Sequence, residues 1–547
     1  MILLHVLLHL RRPAARKAGP AEATFSSFSP GMGKEALVYT GMGQLLILLV
    51  SGGYALLAPK YSEQPSVQNY QYNYGPHRFR PSQTETANNA FIDARQIANS
   101  RRCVACHREI AEQWFSSAHR QAASDAAYVT NIDLLTTKRG ISAARYCEGC
   151  HAPVALLSGE LSAGGKHGGI AGTSANEEGV TCMACHGIES LVHLKGVASY
   201  SWKPREEYLF GQSDNSLLLR VQELLIRLRP QQHRTELGKP LFRDPKVCAA
   251  CHTQFMDKDF NNWGWVKMQD DYAGWLKSPY SKQHEASFAG PAVTRCQDCH
   301  MPLVPAADPS ADADGKVRSH RFLGANTFLP ILARDADHLA RTKDFLQADK
   351  MRINIEHPTR KDVVQTRQPL HENLRNFEEA PYYYYLGETA KLRVAVSNRG
   401  VGHDFPGGTL DVNEAWVEVV ALDAEGAVVY SSGRIGSDNS VDPNANFYRT
   451  LPVDRKGDLV WRHDLFNMIG ESFRRMIPAG ESDLVEYSFV VPAWAKSPLT
   501  VTAALKYRKL NDRYARWALK EKYIQIPAVN VAWTSLDLPL RQRQEVD

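Results

Sequence analysis

No cysteine in this chain stands alone: all 10 fall in pairs whose members are separated by two residues. Charge of one sign is scarce as well. Lys plus Arg (64) exceeds Asp plus Glu (59) by only five, too small an excess to indicate a nucleic-acid partner. Nor is there a compositional bias that would mark disorder, a collagen-like repeat or a multi-span transporter. Hydrophobic residues make up 44%, charged residues 22% and aromatics 9%, close to globular averages. A chain of 547 residues is too long for one small module and leaves room for about three to four folding units.

What is present is a motif. The pairs read Cys103-Val-Ala-Cys106-His107, Cys147-Glu-Gly-Cys150-His151, Cys182-Met-Ala-Cys185-His186, Cys248-Ala-Ala-Cys251-His252 and Cys296-Gln-Asp-Cys299-His300. Two thiols at this spacing lie on one side of a short helical turn, placed to add to the two vinyl groups of one haem. The next residue then carries an imidazole to the iron. A lone Cys-x-x-Cys also serves redox dithiols and zinc sites. Five copies with no cysteine to spare argue against both, since a zinc protein would vary the residue after the second cysteine. A disulfide framework would not repeat the gap and the histidine each time. The pattern predicts five covalently bound c-type haems, with His107, His151, His186, His252 and His300 as proximal iron ligands.

Among the 19 histidines, the distal candidates are His119, His233, His320, His403 and His193. His119 ends Gln113-Trp-Phe-Ser-Ser-Ala-His119, read as a helix that faces the same way as Phe115. His233 precedes the fourth motif and His320 follows the fifth. His403 sits in Gly400-Val-Gly-His-Asp-Phe-Pro-Gly-Gly408, whose glycines permit close approach to a flat cofactor. His167 and His284 rank below these, and His338, His357, His371 and His463 read as structural.

The run Ala36 to Ala58, read as a transmembrane anchor or a signal segment, is 23 residues without a charge, long enough to span a bilayer, and Arg11, Arg12, Arg16, Lys17 and Lys34 precede it. The positive-inside rule leaves the N-terminus cytoplasmic and the rest outside. This suits thioether attachment, which implies assembly on the periplasmic side of a bacterial inner membrane. Residues 1–35 read as a tail or a misassigned start, with Met32 and Met42 as alternatives. Residues 59–98 read as a polar tether. Residues 99–345 form a mostly helical, irregular pentahaem domain with helical pieces such as Glu109 to Ala127 and Asn215 to Leu228. Residues 346–547 turn to alternating and β-branched runs such as Ala390 to Ser397 and Leu499 to Tyr507. The expectation is an α+β multidomain chain ending in an immunoglobulin-like β-sandwich of about seven strands, a structural or docking module without cysteine.

The residues around the motifs carry a resemblance. Glu109, Trp114 and Ser117-Ala-His119 resemble the multihaem cytochromes related to hydroxylamine oxidoreductase and its tetrahaem electron acceptor. So do Glu178-Gly-Val-Thr-Cys182, Tyr272-x-x-Trp275-x-x-Ser278-Pro-Tyr280 and Cys296-Gln-Asp-Cys-His-Met-Pro302. The resemblance covers about Arg102 to Gly324 and implies closely packed haems, mostly with two axial histidines, used for electron transfer. It implies His119 as a distal ligand on a neighbouring haem. Pentahaem nitrite reductases share the count but use lysine as the proximal ligand of the active haem, whereas all five motifs here end in histidine.

These readings lead to a membrane-anchored, periplasmic pentahaem c-type cytochrome that carries electrons between a quinol-linked donor and a periplasmic or outer acceptor, with no nucleic-acid partner. The alternative is a multihaem oxidoreductase in which one open-site haem acts on a small nitrogen or sulfur species. Homo-oligomerisation through the β region is a third option.

Overall fold

The computed structural model describes residue 44 and residues 73–98, 100–162, 171–205, 208–211, 213, 215–281, 293–357 and 383–542. The chain divides into two compact units, Met1–Lys60 and Tyr61–Asp547. Gln44 apart, every described residue belongs to the second. The apolar run read as an anchor, the tail before it and the first part of the tether therefore lie outside the described residues. So do His167, His284 and His371. Among the described residues, no helix is long and apolar enough to cross a membrane.

The helical part is built from short pieces because capping residues recur every few positions. The motifs lie in the segments Arg145–His151, Cys182–His186, Lys246–His252 and Cys296–His300, and in Ser100–Val104 with the turn that follows it. Thr181 caps the third, its hydroxyl accepting from the Ala184 N–H, and the Asp298 carboxylate accepts from the Arg295 N–H at 2.8 Å at the start of the fifth. The helix expected from Glu109 to Ala127 is broken. Arg108–Phe115 ends before Ser117, whose hydroxyl caps a new turn, Ala118–Gln121, and Asp125 caps a third helix, Ala126–Arg139. The break separates two residues expected on one face: Phe115 points to solvent with 62% exposure, while His119 is turned inward.

The β region starts at β1 (Met351–Ile355) and continues through β2 (Thr389–Asn398), β3 (Glu414–Leu422), β4 (Val428–Ser432), β5 (Asn446–Tyr448), β6 (Ser482–Val490), β7 (Leu499–Arg508) and β8 (Val529–Leu538). One sheet has the order β6-β2-β1. The other has the order β4-β3-β7-β8, with β5 added beside β3. All pairings are antiparallel, and β2 faces β6 in unbroken register from Thr389 opposite Val490 to Ser397 opposite Ser482. The alternation in β2 explains why: Ala390, Leu392, Val394 and Val396 are fully buried while the residues between them face outward. They share one core with Val417 and Val419 of β3 and Val501 and Leu505 of β7 from the second sheet.

The helical and β parts are joined by shared cores rather than by a linker alone. Leu135, Tyr146 and Phe260 cluster with Val460, Leu465 and Phe466. Ala127, Phe328 and Leu329 cluster with Leu510, Tyr514 and Ala515. The helix Asp512–Leu519, which follows β7, lies against Ala126–Arg139, where Thr130 donates to the Ala518 carbonyl at 2.7 Å.

Candidate haem centre

One continuous cavity of about 2410 Å³ runs through the second unit, lined by every motif cysteine and by His107, His119, His151, His186, His233, His252, His300, His320, His403 and His463. Single-ligand pockets span about 300–1,000 Å³, so this one has room for several cofactors. The sites are numbered 1 to 5 here in motif order.

The histidines come together across that cavity in pairs. Ring centroids lie 6.2 Å apart for His107 and His233, 6.4 Å for His186 and His320, 6.1 Å for His252 and His119, and 6.4 Å for His300 and His403. The separation fits a specific chemistry. A metal–imidazole bond of about 2.0–2.1 Å, plus about 1.1 Å from nitrogen to ring centre, on both sides of one metal ion gives about 6.3 Å. The ring planes are nearly parallel at sites 1, 3 and 5, at 6°, 22° and 12°, and crossed by 68° at site 4. At site 2, the positive charge that His463 would carry acts on His151, and both rings line the cavity.

Burial favours the neutral form, the one that binds a metal, at five of these imidazoles, whereas at His463 desolvation is outweighed by Asp411 and the pKa is raised. Desolvation first, then the other histidines, pushes His119 down to about 3, and desolvation pushes His151, His233, His300 and His320 down to about 4. Several rings are also aimed through the second nitrogen. Nδ1 of His186, His300, His320 and His403 meets the carbonyl oxygens of Leu237 (2.7 Å), Leu323 (2.6 Å), Arg318 (2.8 Å) and Asp404 (2.9 Å). Two rings meet carboxylates instead: His107 Nδ1 lies 2.9 Å from Asp308 and His463 Nδ1 2.9 Å from Asp411. Such outer partners fix the ring orientation and leave Nε2 free for the metal.

The pairing does not follow the order of the chain. His233, near the fourth motif, faces site 1, and His320, just past the fifth, faces site 3. His119, just past the first, faces site 4. His119 is held there by Gly179, at φ +48°. A Cβ at this glycine would stand 2.5 Å from the His119 carbonyl, which accepts from the Val180 N–H at 2.9 Å. The loop of His403 is wedged against the segment Tyr272 to Tyr280, where the Tyr280 hydroxyl donates to the Arg399 carbonyl and Gly274 leaves room for the His403 Cβ.

Two readings of the sequence change. His193 belongs to the turn between the strands Ile188–Leu191 and Tyr200–Trp202. Its Nδ1 bonds the Ser199 hydroxyl at 2.8 Å and the Lys195 N–H, and it is not among the histidines lining the cavity. His463, read as structural, lines the cavity together with His151 of site 2 and is the candidate partner there. Its backbone sits in the left-handed region at φ +55°, a conformation uncommon outside glycine and enriched at functional positions. Nothing in its sequence neighbourhood, Trp461-Arg-His-Asp464, announces this.

Asp308, Asp411 and Lys509 were also not singled out by sequence. Lys509, in the cavity wall, donates to the Thr409 hydroxyl at 2.9 Å, and burial lowers its pKa against the pull of Asp125, Asp411 and Asp271.

The motif cysteines also lie beside one another between sites. Cys103 of site 1 neighbours Cys182 of site 3, Cys150 of site 2 neighbours Cys251 of site 4, and Cys248 of site 4 neighbours Cys296 of site 5. Cys185 of site 3 acts on both Cys248 and Cys251. Site 4 therefore adjoins sites 2, 3 and 5, and site 1 joins through site 3.

The family described as "Cytochrome c554 and c-prime" matches residues 102–187. Among solved structures, a penta-haem cytochrome c552 from Thermochromatium tepidum aligns over 81% of this chain and 99% of its own, at 16% identity and a TM-score of 0.50. A CARDB domain from Pyrococcus furiosus aligns over 35% of this chain and 86% of its own at 8% identity, with a TM-score of 0.14 that supports no structural argument. No curated protein matches the chain. The motifs, the family match and the likeness of fold support a multihaem c-type cytochrome, a protein of electron transfer that carries covalently bound haem and works with redox partner proteins.

Proposed function

We propose that this chain is a pentahaem electron carrier of the periplasmic face, tethered through Ala36–Ala58, that relays electrons between a quinol-linked membrane donor and a periplasmic or outer acceptor. The observation that carries the proposal is that four of the five Cys-x-x-Cys-His histidines have a second histidine ring 6.1–6.4 Å away; in this reading His463, which lines the cavity with His151, completes the fifth pair. Bound haem supplies a one-electron iron couple, and two axial imidazoles leave no position for a substrate.

The protein residues do the rest. The motif cysteines would hold each haem covalently, and the histidine pairs His107/His233, His151/His463, His186/His320, His252/His119 and His300/His403 would ligate the irons. The neighbouring cysteines of sites 1 and 3, 3 and 4, 4 and 2, and 4 and 5 keep adjacent cofactors in a branched row. The β region, with its two stacked sheets and immunoglobulin-like outline, acts in this reading as a cap that supplies His403 and His463. The kinship with hydroxylamine oxidoreductase and its tetrahaem acceptor rests on the residues around the motifs.

An electron paramagnetic resonance spectrum of the purified ferric protein, with haem content determined on the same sample, tests this reading. The expected result is five haems per chain and low-spin signals that integrate to five irons. A stoichiometric high-spin signal that shifts on adding nitrite, hydroxylamine or sulfite would replace the carrier by an oxidoreductase with an open iron.

A further inference from the structure

The candidate ligand histidines differ in what holds their second nitrogen, and carboxylates occur at two of the three outlying sites. At site 1, His107 meets Asp308, whose side chain is 1% exposed and whose Oδ1 also accepts from the Ser310 N–H (2.9 Å) and hydroxyl (2.6 Å). At site 2, His463 meets both oxygens of Asp411, at 3.1 and 2.9 Å, with the Asp411 side chain 4% exposed. At sites 3 and 5 both rings meet backbone carbonyls. At site 4, Nδ1 of His119 is buried and meets no hydrogen-bond partner.

These arrangements act on the iron in a graded way. An imidazole N–H that donates to a carboxylate makes the opposite nitrogen a stronger donor, which favours the ferric ion. A carbonyl does so less, and a ring without a partner least. Burial works in the same direction, because a low-dielectric surrounding disfavours the more charged ferric state. His119 is enclosed by sites 2, 3 and 5, whereas the His107 side chain keeps 23% exposure at one end of the row. Lys509 opposes the trend at site 2, but it acts on His252 of site 4 as well as on His151 and so does not separate the two. Asp271 opposes the trend at site 4, where it acts on His252, though without a hydrogen bond to Nδ1 of His119.

We propose that Asp308 and Asp411 are positioning residues that hold sites 1 and 2 at the reducing end of the protein's potential range, and that site 4, the junction, is its most oxidising station. The inference rests on the bis-histidine pentahaem reading above. Electrons delivered at an outlying site would then collect at the junction before leaving by another branch.

Potentiometric titration of the full holoprotein, followed by optical and paramagnetic resonance spectra, tests this. In Asp411→Asn, and separately in Asp308→Asn, one of the five one-electron midpoints is expected to rise by about 59 mV or more, a tenfold shift in the ferric–ferrous equilibrium. The other four should stay in place, and Asp411→Glu should restore the original value. In the unaltered protein, the crossed rings of site 4 leave the iron's two π-type d orbitals nearly equal in energy. Its ferric signal is therefore more anisotropic than those of the three parallel pairs, and it is expected to vanish first as the potential is lowered.

Unmoved midpoints in both variants, or an anisotropic signal that vanishes last, would overturn the inference while leaving the bis-histidine reading intact. Fewer than five haems, or a high-spin iron in the unaltered protein, would instead overturn that reading. If either asparagine variant fails to load haem, the other variant and the order of reduction in the unaltered protein still decide the question.

Discussion

At the scale of single residues, the cysteines and the histidines that follow them could be read directly, because covalent attachment writes its own spacing into the chain. The distal histidines could be read only in part, because a ligand held by folding leaves no spacing to read. His403 had a cue in its glycine-rich loop, whose glycines make room for the ring within the loop itself. Gly407 could carry no side chain without meeting the His403 ring at 2.8 Å. His193 and His463 had no comparable cue, and the structure assigns them opposite positions. The two can be compared by experiment. His463→Ala is expected to turn one of the low-spin irons high-spin, to be rescued by added imidazole, and to cost about 1–3 kcal/mol because Asp411 is left buried without its partner. His193→Ala should leave the spectrum unchanged and cost only about 1 kcal/mol for the lost bond to Ser199. Loss of a low-spin signal in His193→Ala, or an unaltered spectrum in His463→Ala, would reverse the assignment.

At the scale of elements, the strands were legible and the helices less so. Alternation in β2 and β7 fixes which face is buried, and the observed strands Thr389–Asn398 and Leu499–Arg508 enclose the runs expected from it. Helix lengths depend instead on competition between helix and caps, and Ser117 and Asp125 win that competition locally, which is why the stretch from Glu109 to Ala127 breaks into pieces. The motif helix Arg145–His151 carries its own support. Arg145 donates to Glu148 at 2.8 Å and to the Ala155 carbonyl at 3.0 Å, and both side chains of the ion pair are 0% exposed. Glu148 in turn accepts from the Ser162 N–H and hydroxyl, at 2.8 and 3.0 Å, tying the helix to the segment beyond Pro153–Ser158. Arg145→Ala strands a carboxylate inside the protein and should destabilise the fold by about 3–5 kcal/mol. Replacing both partners by apolar residues of similar size should recover much of that loss. Thermal unfolding of the holoprotein, with the double variant no more stable than the single one as the contrary outcome, checks it.

At the scale of the molecule, the expected division at residue 345 separates two kinds of secondary structure but not two independent parts. The β region contains no cysteine, which makes a separate docking module the natural reading of the sequence alone. Its loops nevertheless place His403 opposite His300 of site 5 and His463 in the cavity wall with His151 of site 2. Its residues Val460, Leu465, Phe466, Leu510, Tyr514 and Ala515 complete cores whose other halves lie in the helical part. Removing it would therefore expose apolar surface and leave two irons short of a ligand at once. A chain ending at Phe345 is expected to keep all ten thioether positions, yet to display two high-spin irons among five and a lower, broader thermal transition than the full protein. Supplying residues 346–547 as a separate polypeptide should restore low-spin ligation at both sites together, since strands of one β core flank both loops. Five low-spin irons in the truncated chain would mean that the β region only docks against an already complete cofactor array.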